Sequence, residues 1–430
     1  MATEISRRSL LRYSILGVGG AAVLGLVGCA PGGSSGPAAT PGGSGSTPTD
    51  FSFASWSLSE EAAKPPVESA ISAFSKAEGI SVDTSTYPYN EYLNQLTLQV
   101  RGGQFAGAAQ LDVAWLAALA ALGKLTDLSA MAEGRGYTDA ALGAGTLDGK
   151  QLGLPWTIGA IGLIGNAELF DKAGASLTPK TIEEFEEGLR ALKGIGVIPY
   201  AASTKAAQLK DIIVWMQTFG SPIIEEDEST IGDEASVKAV EWYKKLYDEG
   251  LIAPDVDRAA ARTLFAQGAT ALYDDAPVGK SSVVSQSPDA GLGDKMTPIA
   301  RPVLKAGDTP QHVLWGHLVV VVDGEGAGTA ADFAQWLTSD AQQSEAYFTA
   351  LGLPPTTEEA LASDAVAQNT FVEAFTTAIT ATAEPSPLWK YPSYGQMETA
   401  IAEQVQAVLI GQSSASAAMK TAGDTVSGLI

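Results

Sequence analysis

The chain has 430 residues, with 26 Lys plus Arg against 49 Asp plus Glu and a formal net charge of −23. So acidic a body repels nucleic-acid phosphates and anionic lipid heads, which excludes a nucleic-acid-binding protein. The single cysteine, Cys29, excludes an intramolecular disulfide and a zinc site of paired cysteines.

Residues 6–12 read SRRSLLR and residues 13–28 read YSILGVGGAAVLGLVG. That apolar run is too short and too glycine-rich for a comfortable membrane span. Paired arginines ahead of it resemble a twin-arginine export signal, with Leu10 and Arg12 as the departures. The ending Leu26-Val27-Gly28-Cys29 resembles a bacterial lipobox. The resemblance implies that residues 1–28 are a signal peptide and that the Cys29 thiol carries a lipid. Residues 29–49 are almost entirely Gly, Ser, Pro, Thr and Ala after the cysteine, which predicts a flexible tether. No later stretch is long and apolar enough for a second membrane anchor.

From residue 50 short β-like runs alternate with amphipathic helices, the pattern of α/β layers. FSFASW (51–56) predicts a first strand. Ile71 and Phe74 then mark a helix face that stops at Gly79. ISVDTSTY (80–87) predicts a second strand, NEYLNQLTLQVRGG (90–103) a helix, and LDVAW (111–115) a short buried strand. Thr181 with Glu184 reads as a capping box before the apolar face Ile182, Phe185, Leu189 and Leu192. Val237, Val240, Tyr243 and Leu246 form another such face before Gly250 and Pro254. The five apolar residues LVVVV (318–322) predict a strand buried on both faces, as in a parallel sheet. A last helix is expected from about Met397 to Gly411.

Nine segments in this order resemble the family 1 extracellular solute-binding proteins, of which maltose-binding protein is the familiar member. They are FSKAEGISV, LDVAW, GKLTDLS, DGKQLGLPW (148–156), GLIGNAELFDKAG (162–174), TPKTIEEF (178–185), FAQGATALYDD (265–275), AADFAQWLTSDAQQ (330–343) and GLPPTTEEAL (352–361). Two departures stand out: Gly165, where an aromatic is usual, and Trp315-Gly316-His317, where a glycine pair is common. The resemblance implies an α/β type II periplasmic-binding-protein-like fold of two lobes, with the ligand in the cleft between them. Three crossings are expected near Trp156–Gly159, Leu272–Asp275 and Trp315–Leu318. The expected lobes are 50–156 with 275–316, and 157–274 with 317–430. It further implies a monomeric, non-enzymatic protein on the outer face of the cytoplasmic membrane. Such a protein delivers a sugar or oligosaccharide to the permease of an ABC importer by hinge closure.

A sugar presents flat C–H faces and a rim of hydroxyls, so its site needs aromatic plates and paired hydrogen-bonding groups. Residues at strand ends and crossings supply both. The candidate ligand-binding set is Trp56, Tyr89, Asn90, Glu91, Asp112, Trp115, Trp156, Asp274, Trp315, His317, Trp389 and Tyr391. Trp215, Trp242 and Trp336 fall on helical faces and are expected in the core. Acidic groups beside aromatics also suit a polyamine or another cation, and paired carboxylates such as Asp274 and Glu91 would suit a secreted carbohydrate-active enzyme. Two histidines five residues apart, without cysteines, give no metal site, and no cofactor is expected. Gly279-Lys280-Ser281 lacks the earlier glycine of a phosphate loop, because Asp274 stands in its place.

Overall fold

The structure, a computed structural model, describes residues 48–430. The signal segment, Cys29 and most of the tether therefore lie outside the described residues. Among those described, no helix is long and apolar enough to cross a membrane.

Phe51 and Phe53 face the interior from strand β1 (Phe51–Ala54), packing with Phe74 and Phe333 at ring separations of 5.1–6.3 Å. The strand ends two residues before the expected Trp56, which instead begins a short 3-10 turn, Trp56–Ser59. On either side β1 pairs in parallel with β2 (Val82–Ser85) and β3 (Gly107–Asp112). Helices Lys64–Glu78 and Tyr89–Arg101 make the connections. The first ends at Gly79 with φ 70°, a left-handed cap that glycine adopts without a Cβ penalty.

Two long strands follow, β4 (Gly153–Asn166) and, later, β7 (His312–Val322). Between them come β5 (Leu272–Asp275) and β6 (Met296–Ile299). The sheet runs β6-β4-β7-β3-β1-β2, with β5 also on β4. Leu318–Val322 is fully buried, as its apolar run predicts. However, β7 is antiparallel to both neighbours, β3 and β4, rather than part of a parallel sheet. Burial on both faces leaves the same apolar signature in either case.

Strand β4 joins two bodies. Residues 153–161 pair with β7, and residues 162–166 pair with β5 and β6. One core gathers Phe51, Phe53, Phe74, Val319, Val321, Phe333 and Tyr347. Another gathers Phe265, Tyr273, Val283, Leu292 and Met296. The packing thus departs from the expected lobe segments. Helices Ala327–Ser339 and Ala341–Leu351 lie with β1, β3 and helix Lys64–Glu78, whereas residues 279–299 lie with β4 and β5. The reason is that β7 pairs with β3 beyond His317 and carries the following helices back onto the first body.

The second body is mainly helical. Thr181 caps helix Ile182–Gly194 by accepting from the Glu184 N–H, while the Glu184 carboxylate accepts from the N–H of Lys180 rather than Thr181. Trp215 and Trp242 pack in its core 4.7 Å apart, as their helical spacing predicts. The last expected helix begins three residues early, at Tyr394–Leu409, and a further helix, Ala415–Ser427, packs beside it.

Gly165 and Gly316, at the two departures, are both required sterically. A Cβ at Gly165 would sit 2.6 Å from Ile299 Cδ1 and 3.2 Å from Phe170, so no aromatic fits there. At Gly316 a Cβ would lie 2.2 Å from the Thr157 carbonyl oxygen, on the paired strand. Gly316→Ala is therefore expected to destabilise the protein by about 1–3 kcal/mol, the usual cost of overpacking. Urea unfolding of the variant would show it, and an unchanged midpoint would contradict it.

Candidate ligand-binding site

The C-terminal ends of β1 and β3 lie side by side, where open α/β sheets place their ligands. Asp112 ends β3 and caps the turn Val113–Trp115, its Oδ1 accepting from the Ala114 N–H at 2.9 Å. Its Oδ2 accepts from the Tyr89 hydroxyl at 2.8 Å and from Trp315 Nε1 at 3.0 Å. Burial raises the Asp112 pKa, and these bonds, with the charge of Lys210, oppose the rise. One carboxylate thus ties together an aromatic from helix Tyr89–Arg101 and one from β7.

Trp56 is edge-on to four rings, Tyr89, Tyr92, Trp115 and His317, at 4.9–5.5 Å, and only 2% of it is exposed. Trp156 is equally hidden and stacks on Tyr347 at 4.1 Å. Neither offers a free face, so the expected plates Trp56 and Trp156 are walls beneath the surface. Tyr89 keeps 37% of its surface exposed, and Trp315, Trp389 and Tyr391 are half-buried. Asn90 and Glu91 are exposed on the first turn of helix Tyr89–Arg101.

Opposite, the expected Trp389 belongs to a polar group whose other members, Glu398 and Lys210, are not among the expected residues. Trp389 Nε1 donates to Glu398 Oε1 at 2.9 Å, and Lys210 Nζ lies 3.4 Å from Glu398 Oε2. Glu398 raises the Lys210 pKa above its ordinary value, with Asp211 and Asp112 contributing. The sequence did carry a signal for Glu398: it is a carboxylate on the buried face Tyr394, Met397, Ile401, Ala402 and Val405. One continuous core runs from Trp56 and Trp115 to Tyr394, Met397 and Trp215, so the two bodies meet here. Tyr391 points elsewhere, donating to Asp227 at 2.9 Å beside Lys390.

Asp274 is not in this group. It is 4% exposed, and its carboxylate oxygens are taken by the Arg301 guanidinium and the Tyr200 hydroxyl. Its carbonyl accepts from Arg258 at 2.6 Å. The carboxylates named for an enzyme thus occupy unlike places, one in a buried ion pair and one in solvent. His312 accepts from the Arg301 N–H through Nε2 and contacts Thr382 through Nδ1. His317 contacts Gln110 and Tyr347 through Nδ1. Burial pushes both histidines down to about 3, so both are neutral near pH 7. Among the described residues, no group of three His, Cys, Asp or Glu side chains could hold a metal ion.

A match to the family described as bacterial extracellular solute-binding protein covers residues 69–374. Binding proteins of Brucella abortus (strain 2308) and Brucella suis biovar 1 (strain 1330) are each 25% identical over 226 residues, 50% of this chain. The match takes in 55% of each, so the chain spans about half the length of these curated relatives. Among solved structures, the GacH receptor of Streptomyces glaucescens, studied unliganded and with acarbose, superposes with a TM-score of 0.79. It is 21% identical, over 89% of this chain and 98% of that one. MalE3 of T. maritima with bound maltose gives a TM-score of 0.76 at 19% identity, over 89% of this chain and 100% of that one. A solute-binding protein of an ABC transporter from Thermotoga lettingae, bound to α-D-tagatose, gives 0.76 at 20% identity, over 89% and 99%. These likenesses show the two-lobe type II fold, and with the match across residues 69–374 the chain belongs to the bacterial extracellular solute-binding family.

Proposed function

We propose that the protein captures a sugar or short oligosaccharide by closing its two lobes, and hands it unchanged to the permease of an ABC importer. The observation that carries this reading is the Asp112 carboxylate with its two aromatic donors, Tyr89 and Trp315. It stands where the bodies meet, facing the Trp389–Glu398–Lys210 group. Partly exposed rings suit the C–H faces of a sugar, and the carboxylates and the ammonium suit its hydroxyls. The sugars named in the similar structures, acarbose, maltose and tagatose, support the same class. Closure is favoured only by contacts that the ligand makes to both bodies. A polyamine fits less well, because Lys210 places a positive charge inside the group. An enzyme fits less well, because Asp274 is held in its ion pair.

Thermal unfolding with maltose, D-tagatose, ribitol, putrescine and spermidine tests this reading. A sugar or polyol is expected to raise the midpoint with concentration and to be recovered intact. Stabilisation by the polyamines alone would overturn it.

The same proposal includes export and a lipid at Cys29, with a monomeric acidic globule tethered outside the cytoplasmic membrane. Cys29→Ala is expected to move the protein from the membrane to the soluble fraction on cell fractionation. Retention equal to wild type would contradict the anchor.

A further inference from the structure

Strand β4 carries one more residue than β7 at their junction. Leu318 pairs with Pro155 and His317 with Thr157, leaving Trp156 as the additional residue. A bulge of this kind sets two residues against one and re-aims their side chains. Trp156 and Thr157 are both brought opposite His317, and the Trp156 and His317 rings lie 6.4 Å apart. Each of the three residues ends in a buried polar atom without a partner among the described residues: Trp156 Nε1, Thr157 Oγ1 and His317 Nε2.

The hydrogen bonds beneath His317 fix what it presents. The Ser55 hydroxyl and the Ser57 N–H donate to Gln110 Oε1 at 2.5 and 3.3 Å, which sets the orientation of that amide. Gln110 Nε2 is then the donor to His317 Nδ1, at 3.1 Å. A neutral imidazole that accepts through one nitrogen carries its proton on the other. His317 therefore presents Nε2–H, and Trp156 presents a second N–H. Leaving such donors buried and unmet is costly. With no formal charge on any of the three residues, the group matches a neutral oxygen with free lone pairs. Trp56 and Trp315 both cover His317 at 4.9 Å, and Trp315 is the half-buried one.

We infer that Trp156, Thr157 and His317 form a subsite that accepts one hydroxyl oxygen of the ligand when Trp315 moves aside. This rests on the sugar reading above and deepens it: Trp156 serves as a hydrogen-bond donor and not as a stacking plate. A resident water could meet the same donors, so the test separates the two sources.

The chain has two histidines, so ¹⁵N-histidine spectra are assigned by the signal lost in a His317 variant. The tautomer of His317 is read first, without ligand, and Nε2–H is expected. Maltose, D-tagatose or ribitol, whichever binds, is expected to shift His317 Nε2 and the Trp156 indole resonance. His317→Asn keeps an acceptor for Gln110 but withdraws the outer donor, and is expected to weaken binding about tenfold or more. His317→Gln, whose amide reaches further, is expected to restore part of the affinity. A proton found on Nδ1 overturns the inference. So does sugar binding of wild-type affinity in His317→Asn together with a wild-type His317 Nε2 signal that the sugar leaves unmoved, the result expected of a structural water only. Because the tautomer is read without sugar, the inference and the sugar reading can fail separately.

Discussion

Asp274→Ala is expected to lower the free energy of unfolding by about 3–5 kcal/mol, the cost of leaving a buried charge without its partner. Arg301, 1% exposed by side chain, lies over the Trp215 ring at 4.6 Å and pairs with Asp274. Burial works against its charge, and Asp274 and Tyr200 outweigh that effect. Two of its donors, Nε and Nη1, lack partners among the described residues, and Asp274 is the carboxylate that pairs with the guanidinium directly. Replacing both residues by apolar ones, as in Asp274→Leu with Arg301→Met, is expected to recover much of the loss, because a buried pair adds little net stability over well-packed apolar groups. Urea unfolding of the single and double variants measures both effects. A single variant within about 1 kcal/mol of wild type would contradict the account. A loss of sugar affinity at full stability would return Asp274 to the cleft.

Asp112→Ala is expected to weaken sugar binding by about 10- to 100-fold, the value of a charge-assisted hydrogen bond and its partners. Its Oδ2 accepts from Tyr89 and Trp315, so its removal takes that acceptor from the group and frees Tyr89 from the position in which it would meet a ligand. Asp112→Asn keeps one acceptor oxygen and is expected to fall between. Calorimetric titration reads both variants, and an affinity within about twofold of wild type for Asp112→Ala would remove Asp112 from the site.

The fold was legible in the sequence wherever a local signal and a buried face agreed. The caps at Gly79 and Thr181, the Trp215 and Trp242 core and the burial of Leu318–Val322 follow from periodicity and capping alone. Strand direction did not follow, because apolar residues on both faces are common to parallel and antiparallel interiors. The segments of each body were misread because β7 runs through the junction and returns to β3, a long-range pairing without a local mark. Residue type drew attention to Asp112, Trp315 and Trp389, which the structure places around the meeting of the two bodies. It could not tell an open ring from a covered one, hence the expectation of free plates at Trp56 and Trp156. Lys210 lies in a short turn, Leu209–Asp211, whose sequence does not distinguish it from any surface lysine.

The central claim, that the protein binds a sugar without changing it, is tested most directly by calorimetric titration with maltose, D-tagatose and ribitol alongside putrescine and spermidine. The ligand is recovered and analysed afterwards. Saturable binding of a sugar or polyol at a single site is expected, with the ligand intact. Saturable binding of the polyamines alone, or a sugar converted to product, would contradict it.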